Sequence, residues 1–340
     1  MAAPGVDTFS ISGQVKHPTS FSFASSPLPL LGLPAISETI GTNTYTGVPL
    51  YGLLSSGAVG ITSDPTQAKN SILSQYVVAR GSDGYRVVFS GGELDPGFGG
   101  NGALPDLVAY AVDGHAIGAK GAFRTPVPED VKGCRNVQNL VGLTVYNTAA
   151  TSGTGGPAAS FSLSGLVKSP GSFSDLSGLG LTTLTESVAY LSGGKTVNAS
   201  FTGVSLWSFL KLAGLAADPG QPGTYLGEYV LATASDGYRA VFSIGELDPN
   251  FGGAAMGSGY EDMIAWATGD GSLLGSDGAF QLVVPGAVKG GRYVHNLVSL
   301  QVLAAPVPEP DSVALVLVGL VGIAGLRRRA AFRRQSRGLY

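Results

Sequence analysis

Apolar and polar residues alternate in short bursts along most of the chain, and the bursts come twice. Residues 9–13 (FSISG) and 161–165 (FSLSG) each alternate like a strand entering a turn. The stretches TYTGVPLYGLLSSGAV from Thr44 and SFTGVSLWSFLKLAGL from Ser200 share Thr-Gly-Val. Beyond it Leu50, Leu53 and Leu54, or Leu206, Phe209 and Leu210, fall at helical spacing, which predicts a strand leading into a short buried helix. Next, QYVVARG and YRVVFS flank Ser82-Asp83-Gly84, a hairpin signal because Asp and Gly tolerate the positive φ of a tight turn. The hairpin feeds a Gly-rich loop, and residues 82–100 return at 235–253 with sixteen of nineteen positions identical. Residues 106–114 and 262–270 read as a further strand ending in a turn. Each copy closes on Gly-Ala-Phe, a proline segment and a final strand, VKGCRNVQNLVGLTV from Val131 and VKGGRYVHNLVSLQV from Val288, with ten of fifteen positions shared.

A period of about 153 residues is a duplicated domain, too long for a solenoid repeat. At 340 residues the chain has room for two domains, each with its own core. With 52 glycines and few charges, short strands and many turns are favoured over long helices. Between the copies, residues 147–160 (NTAATSGTGGPAAS) lack apolar periodicity and read as a flexible linker; the halves are expected to pair as a pseudo-dimer.

Charge narrows the partners. The net charge is −3, but six of the twenty basic residues lie in the last fourteen positions, and the chain up to Ala305 carries 14 basic against 21 acidic residues. Such a body lacks the basic footprint that nucleic acid requires. Cys134 is the only cysteine, so no intramolecular disulfide forms; its place in the closing strand reads as a small buried or half-buried filler. His17, His115 and His295 show no metal-ligand spacing. The repeated pairs Glu93/Asp95 and Glu246/Asp248 sit in Gly-Glu-Leu-Asp-Pro, a setting for turn and helix-cap roles, and Asp83 and Asp236 for turn formation. Tyr85, Tyr238, Trp207 and Trp266 are expected in core packing.

The order strand, Thr-Gly-Val-x-Leu helix, Ser-Asp-Gly-Tyr hairpin, Gly-Ala-Phe and Gly-x-Arg-x-Val-x-Asn-Leu strand resembles the oxidoreductase molybdopterin-binding domain, the fold of sulfite oxidase and its bacterial relatives. The resemblance covers residues 9–146 and 161–303. It implies a pterin-phosphate site on the closing segment, which maps onto Arg135 and Arg292 with Lys132 and Lys289 beside them; the alternative is that these cations decorate a turn. Catalytic members of that family bind molybdenum through a cysteine ahead of the Gly-Val-x-Leu helix, and neither 35–47 nor 184–203 contains one. No catalytic or metal residue is therefore assigned, molybdenum cofactor remains an implication of the resemblance alone, and a non-catalytic relative is expected.

The C-terminus reads VPEPDSVALVLVGLVGIAGLRRR: Pro308-Glu309-Pro310, an apolar run over 313–326, then Arg327, Arg328 and Arg329. Fourteen helical residues rise about 21 Å, short of the ~30 Å hydrocarbon core, so the run is a marginal span whose arginines stay cytoplasmic. This order resembles the PEP-CTERM sorting signal, which implies recognition by an exosortase-type enzyme, transient seating in the inner membrane, and export to the envelope or extracellular matrix, where an exopolysaccharide or matrix partner is possible. Residues 1–6 show no basic n-region or apolar h-region, which leaves export without a visible leader.

The whole reads as an α+β chain, mainly β: two tandem copies of a sulfite oxidase-like molybdopterin-binding fold at 1–146 and 161–303, a flexible linker at 147–160, and a sorting signal with a hydrophobic helix at 304–340. The expected function is a binding or structural role in an exported protein; the alternative is a periplasmic molybdopterin-dependent oxidoreductase.

Overall fold

The computed structural model describes residues 6–23, 32–118, 121–221, 223–252 and 261–307. Contacts divide the chain into a body, Met1–Ala305, and a C-terminal unit, Pro306–Tyr340. Of the latter only Pro306 and Val307 are described; the sorting helix at 313–326, with Pro308, Glu309, Pro310, Arg327, Arg328 and Arg329, lies outside the described residues.

The body is mainly β, and its elements run through one order twice. The first half holds β1 (Thr8–Gly13), β2 (Thr19–Ser22), β3 (Ile36–Ile40), β4 (Asn43–Pro49), α1 (Leu50–Ser55), β5 (Gln75–Gly81), β6 (Arg86–Ser90), α2 (Gly91–Leu94), β7 (Leu107–Val112), β8 (His115–Ala116) and β9 (Leu140–Asn147). The second holds β10 (Phe161–Gly165), β11 (Gly171–Phe173), β12 (Thr183–Ser192), β13 (Lys195–Ser205), α3 (Leu206–Ala213), β14 (Glu228–Ala234), β15 (Arg239–Ser243), α4 (Ile244–Leu247), β16 (Met263–Thr268), β17 (Gln281–Val283) and β18 (Leu297–Ala304).

The sheets repeat with them. Strand order β2-β1-β9-β5-β6 in one half is β11-β10-β18-β14-β15 in the other, and β3-β4-β7-β8 is matched by β12-β13-β16-β17. The first strand of each half pairs parallel with the last, and the other ladders are antiparallel. Duplication is thus a property of the topology as well as of the sequence.

Local chemistry explains the elements foreseen above. Gly84 takes φ +87° in the β5–β6 turn, where Asp83 Oδ1 accepts from the Tyr85 amide at 2.9 Å; Asp236 and Tyr238 repeat the bond at 2.9 Å. Helices α1 and α3 bury Leu50, Leu53 and Leu54, or Leu206, Phe209 and Leu210, against their own half's core. The Gly-rich loop begins with a helical turn in each half. Ser90 and Glu93 close a capping box on α2, as Ser243 and Glu246 do on α4.

Three expectations change. The closing strands start only at Leu140 and Leu297; Gly133–Arg135 and Gly290–Arg292 are 3₁₀ turns, and Asn139 and Asn296, both at φ 50°, bend the chain into the strands. Cys134 therefore sits on a turn and is exposed, not a buried filler. The 147–160 segment is tied along the second half: the Ser235 hydroxyl donates to Gly156 O at 2.6 Å, the Thr151 hydroxyl to Gly237 O at 2.8 Å, and the Ala279 amide to Ala158 O at 2.7 Å.

Each half has its own core, and a third apolar cluster joins them. Tyr76, Val78 and Val88 meet Tyr229, Leu231, Val241 and Ala305, with the Tyr76 and Tyr229 rings stacked at 4.3 Å. Successive side chains of β5 point to opposite faces, so Val77 and Ala79 enter the first core while Tyr76 and Val78 enter the joint. That is why QYVVARG is apolar at both alternations: the strand is covered on both sides.

Candidate functional site at the seam between the halves

Around the apolar joint the two halves exchange polar side chains in matched pairs. Arg86 Nη2 meets Asp218 Oδ2 at 2.5 Å, and Arg239 Nη2 meets Asp64 Oδ2 at 3.2 Å. Gln221 accepts from the Arg86 amide and donates to its carbonyl at 2.6 and 2.8 Å; Gln67 treats Arg239 the same way at 3.0 and 3.1 Å. Removed from water, such charges stay only where every partner is in place.

The 3₁₀ turns bring Arg135 and Arg292 to this seam. Arg135 is buried. Its Nη1 donates to Glu93 Oε2 at 2.6 Å, while Nε and Nη2 grip Asp130 at 2.8–3.0 Å. Arg292, 1% exposed, donates through Nη2 to Glu246 Oε2. Each guanidinium also lies against the opposite half. A Cβ on Gly245 would collide with Arg135 Cδ, and one on Gly252 would stand 3.0 Å from its Nη2; Gly92 and Gly99 leave the same room for Arg292, at 2.8 and 2.7 Å. The carboxylates cross over too, since Ser243 Oγ donates to Glu93 Oε1 at 2.7 Å.

The two lysines reach across in the same sense. Lys132 Nζ donates to Asn250 Oδ1 at 2.7 Å, and Lys289 Nζ lies 5.4 Å from the Phe98 ring centre. The four cations singled out in the sequence therefore all bridge the halves.

Between the two arginines lies a cavity of about 250 Å³. Tyr51 and Trp207, equivalent positions on α1 and α3, contribute to its wall, and so do Glu93, Asp106, Glu129, Glu246, Glu261 and Asp262 with Arg135 and Arg292. Glu93 and Glu246 are engaged by the arginines and by their capping serines, and Glu129 accepts from Asn101 at 2.9 Å. Burial pushes Asp106 up to about 8 and Asp262 up to about 6, with Arg135 and Arg292 respectively pulling them back. Burial likewise raises Asp130 and Glu246 against the same guanidinium groups. The wall carries six carboxyl groups against two guanidinium groups, and burial favours the protonated form of Asp106 and Asp262.

Several of these residues escaped the sequence reading. Asp106 and Asp262 open the strand repeat in both copies, and Asp64-Pro-Thr-Gln67 returns as Asp218-Pro-Gly-Gln221, so a signal existed. Asp130 gave none, because Ala287 stands in its place in the second copy. Tyr85, Tyr238, Trp207 and Trp266 pack partly buried against the cores, as expected. Among the described residues no cluster of three or more His, Cys, Asp or Glu side chains has metal-binding geometry, and no helix is long and apolar enough to cross a membrane.

Comparison with known proteins adds two findings. Residues 306–329 match the PEP-CTERM protein-sorting motif, which indicates export through the cell envelope by exosortase sorting. Among solved structures the chain is similar to the sulfane dehydrogenase SoxCD from Paracoccus pantotrophus, at 19% identity and a TM-score of 0.32, over 63% of this chain and 51% of that one. The chain thus spans about half the length of that protein. No curated protein matches.

Proposed function

We propose that the chain is a PEP-CTERM-sorted envelope or extracellular-matrix protein whose duplicated body serves a binding role without redox catalysis. The observation that carries this reading is the engagement of Arg135 and Arg292. A pterin phosphate needs guanidinium edges open to a dianion, yet Arg135 is saturated by Glu93 and Asp130, and Arg292 holds Glu246. The surrounding cavity wall adds four carboxyl groups, Asp106, Glu129, Glu261 and Asp262, where a phosphate needs cations, and Cys134 is exposed on its turn and absent from that wall. These residues do not fit the molybdenum cofactor that the sulfite oxidase resemblance implies.

In this reading residues 1–146 and 161–303 are two copies of one domain, fused by 147–160 into a single body. Residues 304–340 form the sorting signal: Pro308, Glu309 and Pro310 meet the exosortase, 313–326 seat the chain in the inner membrane, and Arg327, Arg328 and Arg329 stop it. An exopolysaccharide or matrix component is the proposed partner after processing.

The test is molybdenum and pterin analysis of the full chain produced in a host that makes and loads the cofactor. Protein free of both supports the reading; stoichiometric molybdenum lost in Arg135→Gln and Arg292→Gln overturns it. For sorting, Glu309→Ala is expected to leave the chain unprocessed in the inner membrane of an exosortase-bearing host, and unchanged processing overturns that part.

A further inference from the structure

The second half lengthens one hairpin, and the extra length walls a groove. Strands β12 and β13 run ten and eleven residues, against five and seven for β3 and β4. The longer hairpin reaches the closing segment of its own half, where the Leu191 amide donates to Val288 O at 2.9 Å. That segment is tied to the first half as well, since the Val288 amide donates to Phe98 O at 2.6 Å. Between the hairpin end at Ser192 and Gly193, the connecting segment at Gly155 and Gly156, and the β14–β15 turn at Ser235 and Asp236 lies a groove of about 740 Å³.

Its charge is cationic. Lys69 and Lys289 stand in the wall against one carboxylate, Asp236, whose Oδ1 is taken by the Tyr238 amide at 2.9 Å. Both lysines are exposed, and among the described residues neither pairs with a carboxylate. The duplicate lacks this arrangement: residues 222–224 (PGT) carry no charge where the first half has Lys69, and Lys132, the counterpart of Lys289, donates to Asn250 Oδ1 at 2.7 Å. Of the three aromatic rings in the wall, Phe98 lies under Lys289 at 5.4 Å and Tyr293 is buried against Tyr190 at 4.3 Å. The third, Tyr238, is tied by its hydroxyl, which donates to Gly291 O at 2.7 Å and accepts from Asn70 Nδ2 at 3.1 Å. Such a wall is ill suited to a ligand held by stacking, as a nucleobase is. Ser192 is exposed beside glycine backbone at Gly193, Gly290 and Gly291, where no side chain keeps a ligand's hydroxyls from the peptide groups. The space is that of an extended ligand, far more than one carboxylate fills. We infer that the groove binds an acidic oligosaccharide, a run of uronate sugars whose carboxylates meet Lys69 and Lys289 and whose hydroxyls meet Ser192 and the glycine peptide groups.

The inference gives the binding role proposed above a ligand class and rests on it. Its test is calorimetric titration of the full chain with tetragalacturonate, with maltotetraose as the uncharged sugar and with tetraglutamate as an acidic peptide. Tetragalacturonate is expected to bind at least about tenfold more tightly than either. Lys69→Gln combined with Lys289→Gln is expected to weaken it by at least about tenfold with the thermal midpoint unchanged, whereas Lys168→Gln, outside the wall, leaves it unaffected. No tetragalacturonate binding up to about 10 mM, or tetraglutamate or maltotetraose binding as tightly, overturns the inference. So does undiminished binding in the double variant, which would place the uronate elsewhere, as on the C-terminal arginines. Stoichiometric molybdenum in the purified chain would overturn the binding role itself, which separates the two failures.

Discussion

Ser243 Oγ donates a 2.7 Å hydrogen bond to Glu93 Oε1, so the serine that caps α4 in the second half also holds the carboxylate that caps α2 in the first. The same Glu93 anchors Arg135 at 2.6 Å. Removing the carboxylate leaves the buried Arg135 Nη1 without its acceptor and breaks a cap at once. Glu93→Ala is expected to cost about 3–5 kcal/mol, the usual penalty for breaking a buried pair. Ser243→Ala, which loses a cap and a bridge but no charge, is expected to cost about 1–2 kcal/mol. Urea titration of both variants checks the order.

A joint of this kind predicts cooperativity. With Tyr76 stacked on Tyr229 and Arg86 and Arg239 paired across the seam, neither half can open without exposing apolar surface and charges of the other. Calorimetry of the full chain is expected to show one unfolding transition of the body. Arg239→Met should lower its midpoint without splitting it, whereas two separate transitions in the unaltered protein would show that the halves unfold independently.

Gly245 lies inside the one-turn helix α4, where alanine would ordinarily gain up to about 1 kcal/mol. Here the sign reverses. The new methyl would meet Arg135 Cδ, so Gly245→Ala is expected to destabilise by about 1–3 kcal/mol. Gly57→Ala, with open space around the position, serves as the control in the same denaturation series.

Glu228 is buried, and among the described residues its Oε2 has no partner; burial pushes its carboxyl from 4.5 up to about 7. Its counterpart is Gln75, whose amide donates to Thr62 O at 2.8 Å. The folded state thus favours the protonated acid. Because the folded value exceeds the unfolded one, stability is fully present below about 4.5 and is lost progressively as pH rises to about 7. Asp106 and Asp262 act in the same sense, from 3.8 up to about 8 and about 6. The thermal midpoint is expected to fall between pH 5 and 8. Glu228→Gln should flatten part of that slope and raise the midpoint at pH 8; an unchanged slope would contradict the assignment.

Cys134 is exposed on its turn, so a thiol reagent should modify one group per folded chain without denaturant. A thiol that reacts only after unfolding would contradict the turn placement.

What the sequence revealed was local, and what it hid was shared between the halves. The Asp83-Gly84 turn, the leucine spacing of α1 and the capping residues Glu93 and Glu246 depend on neighbours a few positions away, and each was legible. Arg135 and Arg292 were found as repeated cations, but the glycines they rest on and the serine that braces Glu93 belong to the other copy. No periodicity records a contact of that range. The closing strand starts later than the pattern predicts because VKGCRNV looks extended until Asn139 bends the chain. The connecting segment reads as loose because two of its ties run through its own backbone carbonyls, Gly156 O and Ala158 O, which leave no mark on residue type.

The covalent link across residues 147–160 matters for a protein exported through the cell envelope. A pair of separate subunits released there would fall apart as it diluted, since its assembly depends on concentration. Here each half carries its partner with it, and the tether fixes their mutual concentration whatever the surrounding volume. It also frees the copies from having to stay alike: in a dimer of one gene product a change would appear in both subunits, whereas here aspartate can stand at position 130 and alanine at position 287. One arginine is then gripped by two carboxylates and its twin by one.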